Sequence, residues 1–287
     1  MAQLIKGKDI ASSINLSVKD KISEIKLAVG ITPKLVSLIA GNSEDAEIYV
    51  NMQKKAADFV GIDFSIKRLD ENISQESLIQ EIEKLNSDNT VTSIIVQKPL
   101  PPDIDHSKIA SVIKAEKDAE GLHPFNLGKL FRGEADIVPC TPGAIMKILD
   151  IKGIDLYGKE VVIIGHSAIV GKPLSLMMLN ETATTTVCHV ATFEKGDIRE
   201  HAKKADILIV AVGRPEMVQG EWIRENAIVI DVGINKVNGK IVGDVNFLEA
   251  EAKASMITPV PGGVGPITVS ILMRNVLRAY RKQNVKT

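Results

Sequence analysis

Tyr49 and Gln53 stand four residues apart, on one face of a helical stretch. Gln97 closes a run of β-branched residues, and Asp118 and Glu120 flank a loop. These types can donate, accept or carry protons. Each also has a plainer role. The tyrosine could pack with its hydroxyl in water, the glutamine could cap a turn before Pro99, and the carboxylates could be a solvated loop.

A second set is built on glycine. Residues 161–164 are apolar and mostly β-branched, Gly165 and Gly171 bracket a loop, and residues 174–180 read as a helix. Strand, glycine loop and helix is the geometry that turns free helix N–H groups toward a phosphate. The spacing is G-x-S-x-x-x-G, not G-x-G-x-x-G, and a glycine after a strand also serves as an ordinary turn. Gly213 and Gly233 end two further buried strands, where backbone can approach a flat ligand or simply turn. Residues 259–266 hold three prolines and three glycines, a stiff wall poor in side chains before a helix. His123 and His189 are isolated and belong to no H-x-x-x-H set, so no metal site is expected.

The elements that must hold these residues follow from periodicity. Helices are expected over residues 10–27, 44–60, 75–86, 106–113, 143–149 and 267–282. Strands are expected over 34–40, 64–69, 91–96, 161–164, 185–189, 207–210, 228–232 and 256–258, with 117–131 a loop. Alternation of strand and helix predicts parallel sheets: an α/β fold of two α/β domains with a cleft between them. Ligands of such sheets bind outside the carboxyl ends of the strands, where Gly41, Gln97, Gly165, His189, Gly213, Gly233 and Pro259 fall.

The 287 residues allow two domains, and 45% hydrophobic with 25% charged residues makes them globular. A net charge of −1 gives no reason to expect nucleic acid or an anionic membrane. No apolar run reaches the ~18 residues of a span, and the first residues lack a secretory core. Cys140 and Cys188 are the only cysteines and form no C-x-x-C. A cytoplasmic location is expected.

From end to end the chain resembles the methylenetetrahydrofolate dehydrogenase/cyclohydrolase family. The likeness rests on Tyr49-Val50, Val96-Gln97 with Pro99 and Pro101, Lys117-Asp118 with Gly121, and residues 139–142. It continues through Gly165, Ser167 and residues 170–173, then Cys188-His189, residues 231–235, 243–245 and 259–268. The resemblance implies a folate-binding domain over 1–140, with the helix 267–287 packing back, and a Rossmann-like NAD(P)-binding domain over 141–266. It implies hydride transfer from 5,10-methylenetetrahydrofolate to NADP or NAD, then hydrolysis of the methenyl product to 10-formyltetrahydrofolate. Tyr49, Gln53, Gln97 and Glu120 take the catalytic positions. Tyr49, Gln97, Lys98, Asp118, Pro261 and Gly262 take the folate positions. Thr141, Gly165, His166, Ser167, Val190, Gly213, Ile234 and Thr268 take the coenzyme positions. Tetrahydrofolate derivatives are the implied partners, without nucleic acid or membrane, and a homodimer is the implied assembly.

Departures from the family pattern carry their own expectations. The family has lysine where this chain has Gln53, which cannot titrate. Lys54 lies about 100° further around the helix and should point away. Glu120 replaces an aspartate, and Lys98 a leucine. Dehydrogenase activity is therefore expected to persist, with hydrolysis weak or absent. His166 replaces an arginine and Val190 a serine, both suited to an adenosine 2′-phosphate, so NAD is favoured over NADP. Two other readings are a different two-domain dehydrogenase, such as a shikimate-dehydrogenase-like one, and a non-catalytic folate- or nucleotide-binding regulator.

Overall fold

The computed structural model describes residues 1–41 and 43–284; residue 42 and the last three residues of the expected 267–287 helix lie outside the described residues. The chain divides into two compact units. One comprises residues 12–140 with the chain from 269 on; the other comprises residues 1–11 with 141–268.

The 12–140 unit is built on three parallel strands in the order Asp63–Leu69, Lys34–Ala40, Ser93–Val96. The central strand is buried from Leu35 through Ala40, which is why its sequence is apolar on both faces apart from Ser37 rather than alternating. Parallel pairing demands crossovers, and the helices Glu44–Val60 and Gln75–Ser87 supply them. The first ends on Gly61, which takes φ +82°, a left-handed cap that other residues rarely adopt. The second starts on Ser74, whose hydroxyl accepts from Ser77 N at 3.1 Å. Val36, Leu38, Leu78, Ile82, Ile94 and Val96 join in one buried cluster.

The larger sheet is parallel throughout: Gln3–Leu4, Met256–Ile257, Ile228–Asp231, Ile207–Val210, Glu160–Ile164, Thr184–Cys188. Pairing of Gln3 and Leu4 with Met256 and Ile257 places the first residues of the chain in this unit. Glu160–Ile164 has its successor strand on one side and Ile207–Val210 on the other. That is a switch point, and a crevice opens at the carboxyl ends of strands leaving it in opposite directions.

Several expected elements differ. Part of the expected 117–131 loop is a helix, Pro124–Phe131, started by Pro124 and by His123 Nδ1 accepting from Phe125 N at 3.0 Å. Eight residues are too few to show a helical period in sequence. The helix expected from 143 begins at Cys140, with Pro142 in a first turn where its missing N–H is harmless. The last helix, Val264–Asn284, likewise starts inside the proline–glycine stretch. The third strand starts at Ser93 rather than 91, because Val91 N closes a turn on Asp88 O at 3.1 Å. Three short helices, Val190–Glu194, Ile198–Ala202 and Phe247–Lys253, and the hairpin Asn235–Val237/Lys240–Val242 had no periodic signal. No helix among the described residues is long and apolar enough to cross a membrane.

Candidate functional site

In the 12–140 unit the helix Glu44–Val60 sets Tyr49 and Gln53 one turn apart. Gln97 follows directly on Ser93–Val96, and its N–H continues the ladder to Leu38 O at 2.9 Å. The two amides meet. Gln97 Nε2 donates to Gln53 Oε1 at 2.9 Å and to Ser37 Oγ at 2.9 Å, and Gln53 Nε2 returns to Gln97 Oε1 at 3.4 Å. Both glutamines and Ser37 are buried. Gln53 also hydrogen-bonds the Tyr49 phenol. Burial holds that phenol above its ordinary range, with Cys140 and Glu120 adding to the effect, so it stays neutral. Lys54 is exposed, on another side of the helix from Gln53.

The loop behind this cluster is pinned by Asp118. One carboxylate oxygen accepts from Gly121 N at 3.0 Å; the other accepts from His123 N at 2.8 Å and Asn126 Nδ2 at 2.9 Å. The carboxylate expected to meet substrate is thus committed to shaping the turn that carries Glu120. Gly121 is needed there: at φ +72°, an added Cβ would lie 2.5 Å from Val138 C. Lys117 is buried, and its Nζ donates to Leu85 O at 2.9 Å and Asp88 O at 2.7 Å. Burial pushes the Glu120 carboxyl up to about 7; Lys98 opposes the shift and Asp118 adds to it. Lys98 is exposed at its tip. Desolvation lowers its ammonium, and Glu120 counteracts. His106 is pushed down to about 4, by burial first and then by Lys98.

Three residues here were not singled out from sequence. Cys140 Sγ approaches Ala119 O at 3.5 Å, and burial followed by Glu120 raises its thiol well above the usual range. Asn275, fully buried in the last helix, donates to Ala119 O and Val138 O, both at 2.9 Å. The guanidinium of Arg274 interacts with Cys140. An asparagine on an apolar helix face was the available signal for the second of them.

In the 141–268 unit the loop after Glu160–Ile164 is tightly drawn. Gly165 takes φ +121°, and an added Cβ would lie 2.2 Å from Ala211 O; at Gly171 it would lie 2.0 Å from Gly165 O. The helix Gly171–Asn180 that follows has no side-chain cap at its start. A cavity of about 290 Å³ opens there, lined among others by Gly165, His166, Ser167, His189, Val190 and Arg214. The His166 and His189 rings lie 5.2 Å apart. Among the described residues, no carboxylate lines the cavity. A glycine turn without room for a side chain and a rim of His166, His189 and Arg214 fit a dinucleotide phosphate.

Two aspartates hold the facing strand ends. Asp244 accepts from Val212 N (2.7 Å), Gly213 N (3.0 Å), Arg214 N (2.8 Å) and Asn235 Nδ2 (2.9 Å). Asp231 accepts from Gly233 N (3.0 Å), Asp244 N (3.0 Å) and Val245 N (2.9 Å), and burial pushes its carboxyl up to about 6. The remaining expected coenzyme residues are not in the cavity lining. Thr141 sits in the first turn of Cys140–Ile151, Gly213 at a left-handed turn and Ile234 on the surface. Thr268 is buried, with its hydroxyl donating to Val264 O at 3.3 Å. Pro261 and Gly262 are exposed, and Gly262 O accepts from Gly7 N at 2.8 Å.

A parallel sheet with a tight glycine turn in one unit, and a buried polar cluster on a parallel sheet in the other, define a two-unit α/β protein. Residues 5–120 match the tetrahydrofolate dehydrogenase/cyclohydrolase catalytic domain, and residues 139–284 match the NAD(P)-binding domain of the same family. The chain belongs to the tetrahydrofolate dehydrogenase/cyclohydrolase family. It is 47% identical over 279 residues to Bifunctional protein FolD 2 of Myxococcus xanthus, covering 97% of this chain and 96% of that one. It is similar to the crystal structure of the bifunctional enzyme FolD from Campylobacter jejuni, at 41% identity and TM-score 0.94, covering 99% and 100% of the two chains. The same TM-score, at 40% identity and 99% coverage of each chain, relates it to the Trypanosoma brucei enzyme complexed with NADP and an inhibitor. Shikimate 5-dehydrogenase from Thermus thermophilus shares the fold alone, at 15% identity and TM-score 0.52 over 88% of this chain and 99% of that one.

Proposed function

We propose that this chain oxidises 5,10-methylenetetrahydrofolate to the methenyl cation with NAD(P) as oxidant, and that it hydrolyses the methenyl product slowly or not at all. The observation that carries the second half is the closed amide pair of Gln53 and Gln97 beside the neutral Tyr49 phenol. The first half rests on family membership over both halves of the chain.

The coenzyme supplies the hydride acceptor. Oxidation removes one hydride from the one-carbon bridge and leaves a cation, so no proton has to be placed. Neutral groups that orient a pterin suffice. Gln97, fixed by Ser37 and Gln53, and Tyr49, fixed by Gln53, are such groups. Hydrolysis adds water to the cation, releases one proton and opens the ring to 10-formyltetrahydrofolate. It needs a group that changes protonation. Gln53 cannot. Glu120, at about 7, is left as the proton acceptor, with Lys98 beside it.

Folate binding is assigned to the 12–140 unit, through Tyr49, Gln97 and Lys98, with Asp118 acting through the turn it holds. Pro261 and Gly262 are assigned to folate from the other unit. Gly165, His166, Ser167 and Val190, which line the cavity, are assigned to the coenzyme; Thr141, Gly213, Ile234 and Thr268, outside that lining, are assigned to it from the family positions alone. NAD is favoured at neutral pH, because Val190 offers no donor and His166 no permanent charge. A homodimer in the cytoplasm completes the reading, and sedimentation of the purified chain checks the assembly. Side-by-side assays of methylenetetrahydrofolate oxidation and methenyltetrahydrofolate hydrolysis test the assignment. Hydrolysis as fast as oxidation would overturn its second half.

A further inference from the structure

We infer that His166 and His189 act together as a proton-dependent clamp for the 2′-phosphate of NADP, so that coenzyme choice follows pH. This rests on reading the cavity as the NAD(P) pocket. In strand–loop–helix nucleotide sites the adenosine ribose lies near the end of the second strand, where a carboxylate selects the free 2′-hydroxyl. The second strand here is Thr184–Cys188, and its end carries His189 and Val190, not an acid. His166 comes from the glycine loop of the first strand. The two exposed rings stand 5.2 Å apart, with planes tilted by 51°, at the cavity wall.

Two imidazolium rings at that spacing repel each other, and a dianion against both relieves the repulsion. Proton uptake and 2′-phosphate binding are therefore linked, each favouring the other. Behind the wall, the Asp244 carboxylate is committed to the N–H groups of residues 212–214. Arg214 is the one other ionisable side chain in the lining, and its guanidinium stacks 5.7 Å from the Phe193 ring centroid. Lys172, Glu194 and Glu216, on the elements around the cavity, are outside the lining. Arg199 pairs with Glu221 at 3.0 Å, and Glu200 with Lys203 at 3.7 Å. An imidazole, unlike a guanidinium, can gain or lose its proton on binding, so a histidine pair can link grip to pH where an arginine cannot.

The test compares ADP-ribose with its 2′-phosphorylated counterpart by titration calorimetry on the whole chain. Measurements run from about pH 6.5 to about pH 8.5, above the phosphate's own titration near pH 6. The preference for the phosphorylated ligand is expected to fall at least about tenfold over that range, as for one or more linked protons. Binding should take up protons, read from buffers of different ionisation enthalpy. His166→Ala and His189→Ala should each flatten most of the fall, with the unfolding midpoint recorded for both. Parallel pH profiles for the two ligands, or an unaltered fall in both variants, would overturn the clamp while leaving the pocket assignment in place. Failure of ADP-ribose to bind at any pH would overturn both.

Discussion

Gln53 is the residue on which the proposed division of activities turns. It is fully buried, and its amide is shared between Gln97 and Tyr49. Gln53→Lys should raise methenyltetrahydrofolate hydrolysis at least tenfold while changing oxidation by less than a few fold. It should also lose roughly 1–3 kcal/mol of stability from the disrupted buried pair; no gain in hydrolysis would mean that the remaining groups cannot use an ammonium. Glu120 makes a separate prediction. Its folded value of about 7 lies above the ordinary 4.5, so the folded state holds the proton more tightly than the unfolded chain. That contribution is fully present below about pH 4.5 and is lost as pH rises through 7. Unfolding free energy measured across that window should decline more steeply in the unaltered chain than in Glu120→Gln, and equal slopes would contradict the raised value. That Tyr49 and Gln53 share one helix and that Gln97 closes the third strand were legible from residue type and spacing. The closed amide pair was not, because it joins residues 44 apart, and neither was the commitment of both Asp118 oxygens to its own loop.

At the scale of elements, the glycine turn and the aspartate-held strand ends make the wall assigned above to the coenzyme. Gly165→Ala combines a disfavoured φ of +121° with a Cβ placed 2.2 Å from Ala211 O. Strain of that kind costs about 1–3 kcal/mol, and the overlap adds to it. Urea unfolding should show the loss, together with weakened ADP-ribose binding; unchanged values in both would mean that the turn relaxes freely. Asp244→Ala frees three backbone N–H groups on residues 212–214 at once. It should raise KM for the coenzyme more than tenfold with a smaller effect on KM for folate, which steady-state kinetics resolves. Long elements were readable because a helix such as Glu44–Val60 repeats its apolar face for several turns, and a central strand such as Lys34–Ala40 is apolar at five of its seven positions. The five-residue helices Val190–Glu194 and Ile198–Ala202 repeat nothing, and proline near residues 142 and 266 read as loop although each sits in a helical first turn.

For the molecule as a whole, alternating strands and helices predicted two parallel α/β units, and that is the architecture. The strand at residues 3–4 escaped notice because two residues carry no period; its place is fixed by pairing with a strand more than 250 residues later. In the proposed function each unit brings one share of the chemistry: a buried amide cluster without the lysine, assigned to folate, and a pocket with no carboxylate among the described lining residues, assigned to the dinucleotide. The most direct measurement is the folate-dependent reduction of NAD and of NADP by the purified chain at neutral pH, with hydrolysis of the methenyl product followed in the same preparation. Oxidation with either coenzyme, kcat/KM for NAD at least equal to that for NADP, and hydrolysis well below oxidation are the expected results. No folate-dependent reduction of either coenzyme, or a hundredfold preference for NADP with hydrolysis matching oxidation, would contradict the account.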